Sequence, residues 1–534
     1  MRYRVHWKTG VRKVGIAVAA LVTIGLFLTP ALGGSGGLSA DAGTPHMSQS
    51  SILGLLGNTR AGTPLTGNRM GHDAACDPPY GWLTTQGDWI VETKDPSCKI
   101  RLAGVSWFGM QSNTYALAGL NFEKYTTILD EVAAMGFNSI RIPLSDELVR
   151  DSAHVVINHK KFLRANPELP KNLHPLQLLD DVVSYAATLN IMIILDNHFT
   201  KAVPASGTPP AQNQVARHAS RLTQARAAIR SAAGAEAKWV ADWVTLTKRY
   251  LNDPNVIGFD LRNEPHTQWN GKWWNLKDYL TNGATWGPCT KKLCGKLAHL
   301  WKKSSDWVSQ AETAGDAVLA VNPKLLMFVE GVQLYPNPKA KTGIYSYWWG
   351  GILRGVAVDP VKFAVKGLPV PDQLVYSPHV WGPWKCCDPD GEFTDMTYQS
   401  IADNYYENWA YILSSKNPSI QAPIWIGEFN TCNAAMKGEK GTNLGWIKPA
   451  GACVSSSKAG SEGQWFQIFI KYLQNNPEIN WSYYPLNGTN EEDGQSNNSI
   501  LGCRRGTSWP KCNPWAQARL PAIVTALQTI ESSP

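Results

Sequence analysis

Glu264 stands beside Asn263 where the apolar run "NVIGFDL" gives way to "RNEPH", and Glu428 stands in "IWIGEF" where a second apolar run stops. A buried strand that ends on an amide and a carboxylate delivers both groups to a place where a substrate can meet them. Other apolar runs stop in the same way: on Arg141, on Asp196, Asn197 and His198 of "DNH", on Glu330, and on His379. Two carboxylates held near one another suit cleavage of a glycosidic bond, one giving a proton and the other acting as nucleophile. That division requires one carboxyl to be protonated while its neighbour is ionised, so their surroundings must differ. Arg141 and His379 could place positive charge beside Glu428. Asn263 could donate to a sugar hydroxyl in a bond that strengthens in the transition state. Position alone does not choose between Glu330 and the other two carboxylates. A single Glu at a strand end is more often a cap or a surface charge, and "DNH" reads equally as an Asx turn with a satisfied histidine.

These residues need elements that bring strand ends together. From about Gln86 the chain alternates short apolar, β-branched runs with helical patterns. The predicted strands are 101–107, 138–143, 191–196, 256–261, 325–330, 374–379, 424–429 and 479–484. The predicted helices are 123–135, 176–189, 236–250, 301–321, 400–415, 461–475 and 515–531. Gly136 closes the first of these helices as a stop. Strand–helix alternation implies parallel strands with crossover helices. Eight such units predict a closed (β/α)8 TIM barrel, in which loops after strands carry the chemistry. Those loops are long here, notably 200–235, 265–300 and 331–372. No glycine-rich dinucleotide fingerprint follows the first strand, which argues against a nucleotide cofactor.

The chain has 534 residues and a formal net charge of +8, with 43% hydrophobic and 17% charged residues. Residues 1–42 hold five bases and one acid, so the remainder carries +4, without a basic stripe; nucleic acid is not an expected partner. The early bases precede the uncharged run "VGIAVAALVTIGLFLTPAL" and the small-residue stretch "ADA" at Ala40–Ala42. This is a secretory signal pattern, or an N-terminal anchor if it is not cleaved. Three parts follow: 1–42 as signal or anchor, 43–75 as a low-complexity linker, and 76–534 as the catalytic barrel. Export agrees with ten cysteines, which proximity pairs as Cys76–Cys98, Cys289–Cys294, Cys432–Cys453 and Cys503–Cys512, with Cys386 and Cys387 adjacent. No C-x-x-C pair points to zinc.

The 23 tryptophans bear on the substrate. Trp239, Trp243, Trp301 and Trp307 fall on helical patterns and read as core. Trp269, Trp273, Trp274, Trp286, Trp348, Trp349, Trp381 and Trp384 fall in loops after strands. Large exposed aromatics there suit platforms for the apolar faces of sugar rings.

The ordered set "GVSWFG", "RIPLSDEL", "IILDNH", "LRNEPH", "LLMFVEGVQ", "YWWGG", "LVYSPH" and "IWIGEFNT" resembles glycoside hydrolase family 5, the cellulase family, over roughly residues 98–502. The resemblance implies a secreted endo-β-1,4-glucanase acting with retention, with a β-mannanase or another β-glucan hydrolase of the family as the alternative. A non-catalytic carbohydrate-binding barrel would keep the aromatics and lose the carboxylates. The resemblance implies Glu264 as acid/base and Glu428 as nucleophile. It implies Arg141, His198, Asn263 and His379 as the shell around the cleaved sugar, Trp107 among the substrate contacts, and no catalytic position for Glu330. No cofactor or metal is implied; the expected partner is a β-linked polysaccharide, and a monomer is expected. Two positions depart from the family. Trp381 stands where a tyrosine hydroxyl usually meets the nucleophile, and Tyr484 stands where a tryptophan usually lies under the reacting sugar. Tyr484, or another tyrosine nearby, is expected to take over one of these roles. The bond Tyr484–Pro485 is expected to be cis.

Overall fold

The structure, a computed structural model, describes residues 76, 78, 80–202, 223–267, 275–383, 393, 395–431, 457, 459–486, 500, 501 and 521–531. The chain divides into Met1–Pro64 and Leu65–Pro534, and every described residue belongs to the second unit. The expectations for the signal and linker, for Cys386, Cys387, Cys432, Cys453, Cys503 and Cys512, and for Trp269, Trp273, Trp274 and Trp384 fall outside the described residues.

Eight strands form one parallel sheet: β1 (Ala103–Ser106), β2 (Ser139–Ser145), β3 (Met192–Phe199), β4 (Val256–Asp260), β5 (Leu326–Glu330), β6 (Leu374–Ser377), β7 (Trp425–Phe429) and β8 (Asn480–Tyr483). They pair in the order β6-β5-β4-β3-β2-β1-β8-β7. Parallel bridges Tyr376–Ile424 and His379–Glu428 bring the two edges together, so the sheet curls into a barrel. The eight predicted strands are all present. Parallel strands covered by helices are buried on both faces, which is why each reads as an almost unbroken apolar run.

The crossovers are α1 (Tyr125–Ala134), α2 (Pro175–Thr188), α3 (Thr223–Arg249), α4 (Trp307–Leu319), α5 (Tyr398–Asn408) and α6 (Glu462–Asn475), and α7 (Pro521–Gln528) follows β8. In α1, Ile128, Leu129 and Val132 form the buried stripe. Gly136 adopts φ +96 just past its end, the left-handed stop expected of it. Between β5 and β6 the chain makes a long excursion instead of a crossover helix. It includes the antiparallel pair Leu334–Pro336 and Ile344–Ser346, and it carries Trp348 and Trp349.

The two ends of the barrel differ in chemistry. At one end Leu83, Ile90, Ile100 and Leu102 pack against Ile194, Phe328, Val375 and Trp425. This makes a dry plug in which the three short strands Leu83–Gln86, Trp89–Glu92 and Lys99–Ile100 seal the barrel. Cys76 and Cys98 are bonded beside it, and Cys289 is bonded to Cys294, as expected from proximity. Among the described residues, no helix is long and apolar enough to cross a membrane.

Asp242 on α3 carries a testable electrostatic load. Burial first, and then nearby Asp146, push its carboxyl up to about 7, and Arg150 at 3.5 Å offsets this only in part. The unfolded carboxyl ionises near 3.9. The folded state therefore binds the extra proton between these values, and Asp242 costs stability progressively as pH rises from about 4 through about 7. Asp242→Asn is expected to flatten the fall in melting temperature between pH 5 and pH 8. An unchanged slope would remove Asp242 as its source.

Candidate active site

Residues two apart along a strand share a face. This rule, with the barrel's register, gathers the polar strand ends into one buried cluster at the end opposite the apolar plug. Arg141 of β2 is its centre and is 1% exposed. Its Nε donates to Asp260 Oδ2 at 3.0 Å, Nη1 to Glu428 Oε1 at 2.6 Å and Nη2 to Asn263 Oδ1 at 2.9 Å. Asp196 lies 3.2 Å from Nη2 and Glu330 3.4 Å from it. A guanidinium can only donate, so Asn263 must turn its oxygen toward Arg141 and its amide N–H₂ away, ready to donate to a ligand. Asp196 also holds His198 Nδ1 at 2.7 Å and fixes that ring.

Glu264 takes an uncommon backbone conformation. Its φ is +49, a left-handed value that costs a non-glycine residue about 1–3 kcal/mol. Pro265 behind it disfavours the right-handed helical region. In front, its peptide N–H donates to Glu330 Oε2 at 2.7 Å. The conformation aims the carboxylate along the rim: Oε1 accepts from Trp348 Nε1 at 2.8 Å and stands 3.1 Å from His379 Nδ1. Single oxygens of Glu264 and Glu428 and a nitrogen of His379 all lie within 4.8 Å of one another.

His379 is fully buried among carboxylates. Nε2 is 3.1 Å from Glu330 Oε1, an ion-pair distance without hydrogen-bond alignment, and Nδ1 is 3.8 Å from Glu428 Oε2. Burial opposes a charge on the imidazole, but Glu330 and Glu428 outweigh it and hold its pKa well above the usual histidine range. Burial likewise lifts the Glu330 carboxyl well above its usual range, more than His379 and Arg141 can offset. Asp260 rises to about 6, again through burial, with Arg141 opposing. The cluster thus contains more carboxylates than cations, and His379 and Glu330 together keep a proton through neutral pH.

Around these groups runs a line of rings. Trp349 stacks on His266 at 4.1 Å and on Trp348 at 5.6 Å. Trp348 meets Trp381 at 5.8 Å, Trp381 meets Tyr484 at 6.3 Å edge to face, and Tyr484 lies parallel to His198 at 6.4 Å. Trp348, Trp349 and Tyr484 are half-buried; Trp381 is closed over and backs the line from behind. Burial, with Glu428 adding to it, holds the Tyr484 phenol well above its usual range, so the hydroxyl keeps its proton. The Tyr484–Pro485 bond is cis, as expected.

The structure brings together Glu264, Glu428, Arg141, His198, Asn263, His379 and Tyr484. It does not bring Trp107. That residue, expected among the substrate contacts, has no exposed surface and donates its indole N–H to Ala118 O at 3.0 Å, so it is a core residue. Trp286 and Trp381, both expected in the loop cluster that would meet substrate, are also buried. Two residues of the site escaped the sequence reading. Asp260 sits inside "GFDL", where an acid in an apolar run at the parity of an inward face was the available signal. Trp348 was grouped only as a platform, and its bond to Glu264 depends on the path of the excursion after β5.

Comparison with known proteins adds to this geometry. A family model described as Cellulase (glycosyl hydrolase family 5) matches residues 98–490. The chain is 31% identical over 416 residues to an endoglucanase of Paenibacillus polymyxa, covering 78% of this chain and 82% of that one. It is 30% identical over 381 residues to endoglucanase G of Acetivibrio thermocellus, covering 65% of this chain and 60% of that one. Among solved structures, an endocellulase of Pyrococcus horikoshii in complex with cellotetraose superposes with a TM-score of 0.57 at 24% identity. That match covers 85% of this chain and all of the other, and it supports the barrel fold.

Proposed function

The chain belongs to glycosyl hydrolase family 5, the cellulases, and is a glycoside hydrolase; from that premise we propose that it is an exported endo-β-1,4-glucanase that cleaves internal bonds of a β-glucan with retention. The observation that carries the reading is the approach of Glu264 and Glu428 to within 4.8 Å, oxygen to oxygen. Retaining enzymes hold their carboxyl groups about 5–5.5 Å apart, whereas inverting enzymes need about 6.5–9.5 Å to admit a water. Relatives named as endoglucanases, and a fold neighbour that holds cellotetraose, support a glucan as substrate.

In this reading the rim divides its work as follows. Arg141 fixes Glu428 Oε1, which leaves Oε2 to attack the anomeric carbon. Glu264 gives its proton to the departing glycosidic oxygen, and the sugar becomes an ester of Glu428. Glu264 then takes a proton from water as the water oxygen replaces Glu428 on the sugar. Asn263 donates to the sugar hydroxyl beside the anomeric carbon. The half-buried faces of Trp348, Trp349 and Tyr484 offer a flat floor to neighbouring glucose units.

Export rests on the basic, then apolar, N-terminal pattern and on the disulfides Cys76–Cys98 and Cys289–Cys294, which suit an oxidising compartment. Its check is the N-terminal sequence of protein recovered outside the cell; a protein retained with its first 42 residues would identify an anchor instead.

The function is tested by reducing-sugar release from carboxymethyl cellulose, β-mannan and mixed-linkage glucan, with the product anomer followed by proton NMR. Release from cellulose and the mixed-linkage polymer, with β-product formed first, is the expected result. Preferential release from mannan would move the reading to a mannanase, and α-product formed first would remove retention. Tyr484→Phe is expected to lower kcat/KM on the soluble glucan roughly tenfold through loss of a hydroxyl near Glu428. If its activity is unchanged, the hydroxyl has no part in the reaction.

A further inference from the structure

Glu264 Oε1 meets two ring nitrogens, Trp348 Nε1 at 2.8 Å and His379 Nδ1 at 3.1 Å. The first contact is built into the chain path. Residues 347–351 turn back onto the end of β5: the Gly331 N–H donates to Gly350 O at 2.9 Å, and Val332 bridges Ile352. Gly350 has φ +72, and a Cβ there would come within 2.4 Å of Glu330 Oε2 and 3.6 Å of Glu264 Cα. The turn that carries Trp348 is therefore seated on the peptide that carries Glu264, with room only for glycine between them. The indole itself is held between Trp349 and Trp381.

We infer that Trp348 is a positioning residue for proton transfer: its indole N–H fixes Oε1 of Glu264 as the accepting oxygen, so that the transferable proton travels on Oε2. The inference rests on the reading of Glu264 as acid/base. In the first step the proton leaves Oε2 for the glycosidic oxygen as the bond from that oxygen to the anomeric carbon breaks and the bond to Glu428 forms. In the second, water gives a proton to Oε2 as its oxygen bonds to the anomeric carbon and the bond to Glu428 breaks. Oε1 neither gains nor loses a proton in either step. An indole N–H only donates and does not titrate in the working range. It can therefore hold Oε1 through both steps without depending on the proton that His379 shares with Glu330.

The titratable groups that face Glu264 are His379, Glu428 and Tyr484, together with Glu330 on its peptide N–H and His266, whose Nδ1 lies 2.6 Å from its carbonyl oxygen. Trp348→Phe leaves all of these in place and keeps a ring in the slot between Trp349 and Trp381. It removes one donor that favours the ionised carboxylate, so Glu264 keeps its proton to higher pH. The expected result is an alkaline limb of kcat/KM displaced upward by about one pH unit, with activity on a soluble glucan reduced about tenfold. On dinitrophenyl β-cellobioside, which uses the same sugar floor but has a leaving group that needs no proton, kcat/KM should fall clearly less than on the soluble glucan. An unmoved limb, or an equal loss on both substrates, overturns the inference.

If Trp348→Phe does not fold, ¹⁵N-tryptophan labelling of the wild type decides. One indole N–H resonance should titrate with the midpoint of the alkaline limb and cease to do so in Glu264→Gln; no such resonance overturns the inference. Glu264→Gln also separates the two readings. Activity retained in it removes the acid/base assignment and this role together. Activity lost in it, with an unmoved limb in Trp348→Phe, removes the role of Trp348 alone.

Discussion

Glu428→Ala is expected to hydrolyse a soluble β-glucan about 10⁵-fold more slowly than the wild type, because it loses the atom that forms the covalent intermediate. The site around it should survive, since alanine removes a charge from a cluster that already holds more carboxylates than cations. Added azide provides the sharper test. In Glu428→Ala the vacated space admits azide to the face opposite the leaving group. A single displacement of an activated β-cellobioside then yields the α-glycosyl azide. In Glu264→Ala the nucleophile is intact, and azide intercepts the glycosyl–enzyme ester to give the β-glycosyl azide. Glu264→Ala should lose about 10²–10⁴-fold on the polymer and much less on a substrate whose leaving group needs no proton. NMR of the azide products assigns the two roles independently. Exchange of the two anomers between the variants would reverse the assignment, and activity within tenfold of wild type in Glu428→Ala would end it.

Arg141→Met should have the largest effect on the folded state, a loss of about 3–5 kcal/mol near neutral pH. Methionine fills much of the same volume, so the loss is electrostatic rather than a cavity effect. Arg141 pairs with Asp196, Asp260, Glu330 and Glu428 at distances of 2.6–3.4 Å. Without it Asp260, Glu330 and Glu428 are left facing the His379 imidazolium, and Asp196 keeps Arg262 and His198, so Asp260 and Glu330 must take up protons for the chain to remain folded. The carboxyls of Asp260 and Glu330, which burial already lifts, then rise further above their unfolded values. The variant binds more protons when folded than when unfolded, and its stability falls as pH rises through that interval. Urea unfolding at pH 5 and pH 8 should show a deficit that is smaller at pH 5. A deficit below about 1 kcal/mol, or one equal at both pH values, would mean that Arg141 is not the electrostatic centre of the barrel.

Much of this molecule was legible before any coordinates. All eight strands were found because each is buried on both faces and must be apolar along its length. The polar residues that terminate them mark where burial stops. That contrast placed Arg141, Asn263, Glu264, His379 and Glu428 on one rim. It could not rank Glu330 against Glu264 and Glu428, because depth is not written in a strand's end. In the structure Glu330 has no exposed surface and serves the peptide N–H of Glu264 and the ring of His379, whereas Glu264 is half-buried and Glu428 keeps 3% of its surface exposed.

Pattern and composition by themselves determined the number of strands, their parallel arrangement and the chemical type of the rim, while proximity only suggested the disulfides Cys76–Cys98 and Cys289–Cys294 that the structure contains. Those features depend on near neighbours in the chain or on a residue's preference for water, and both are local. Only the tertiary structure decided that Asp260 joins the Arg141 cluster, that Trp107 is core, and that Trp348 reaches Glu264. Each of these depends on barrel register or on the path of a long excursion. There, contacts between residues 84 positions apart, as for Trp348 and Glu264, are chosen by packing rather than by sequence spacing.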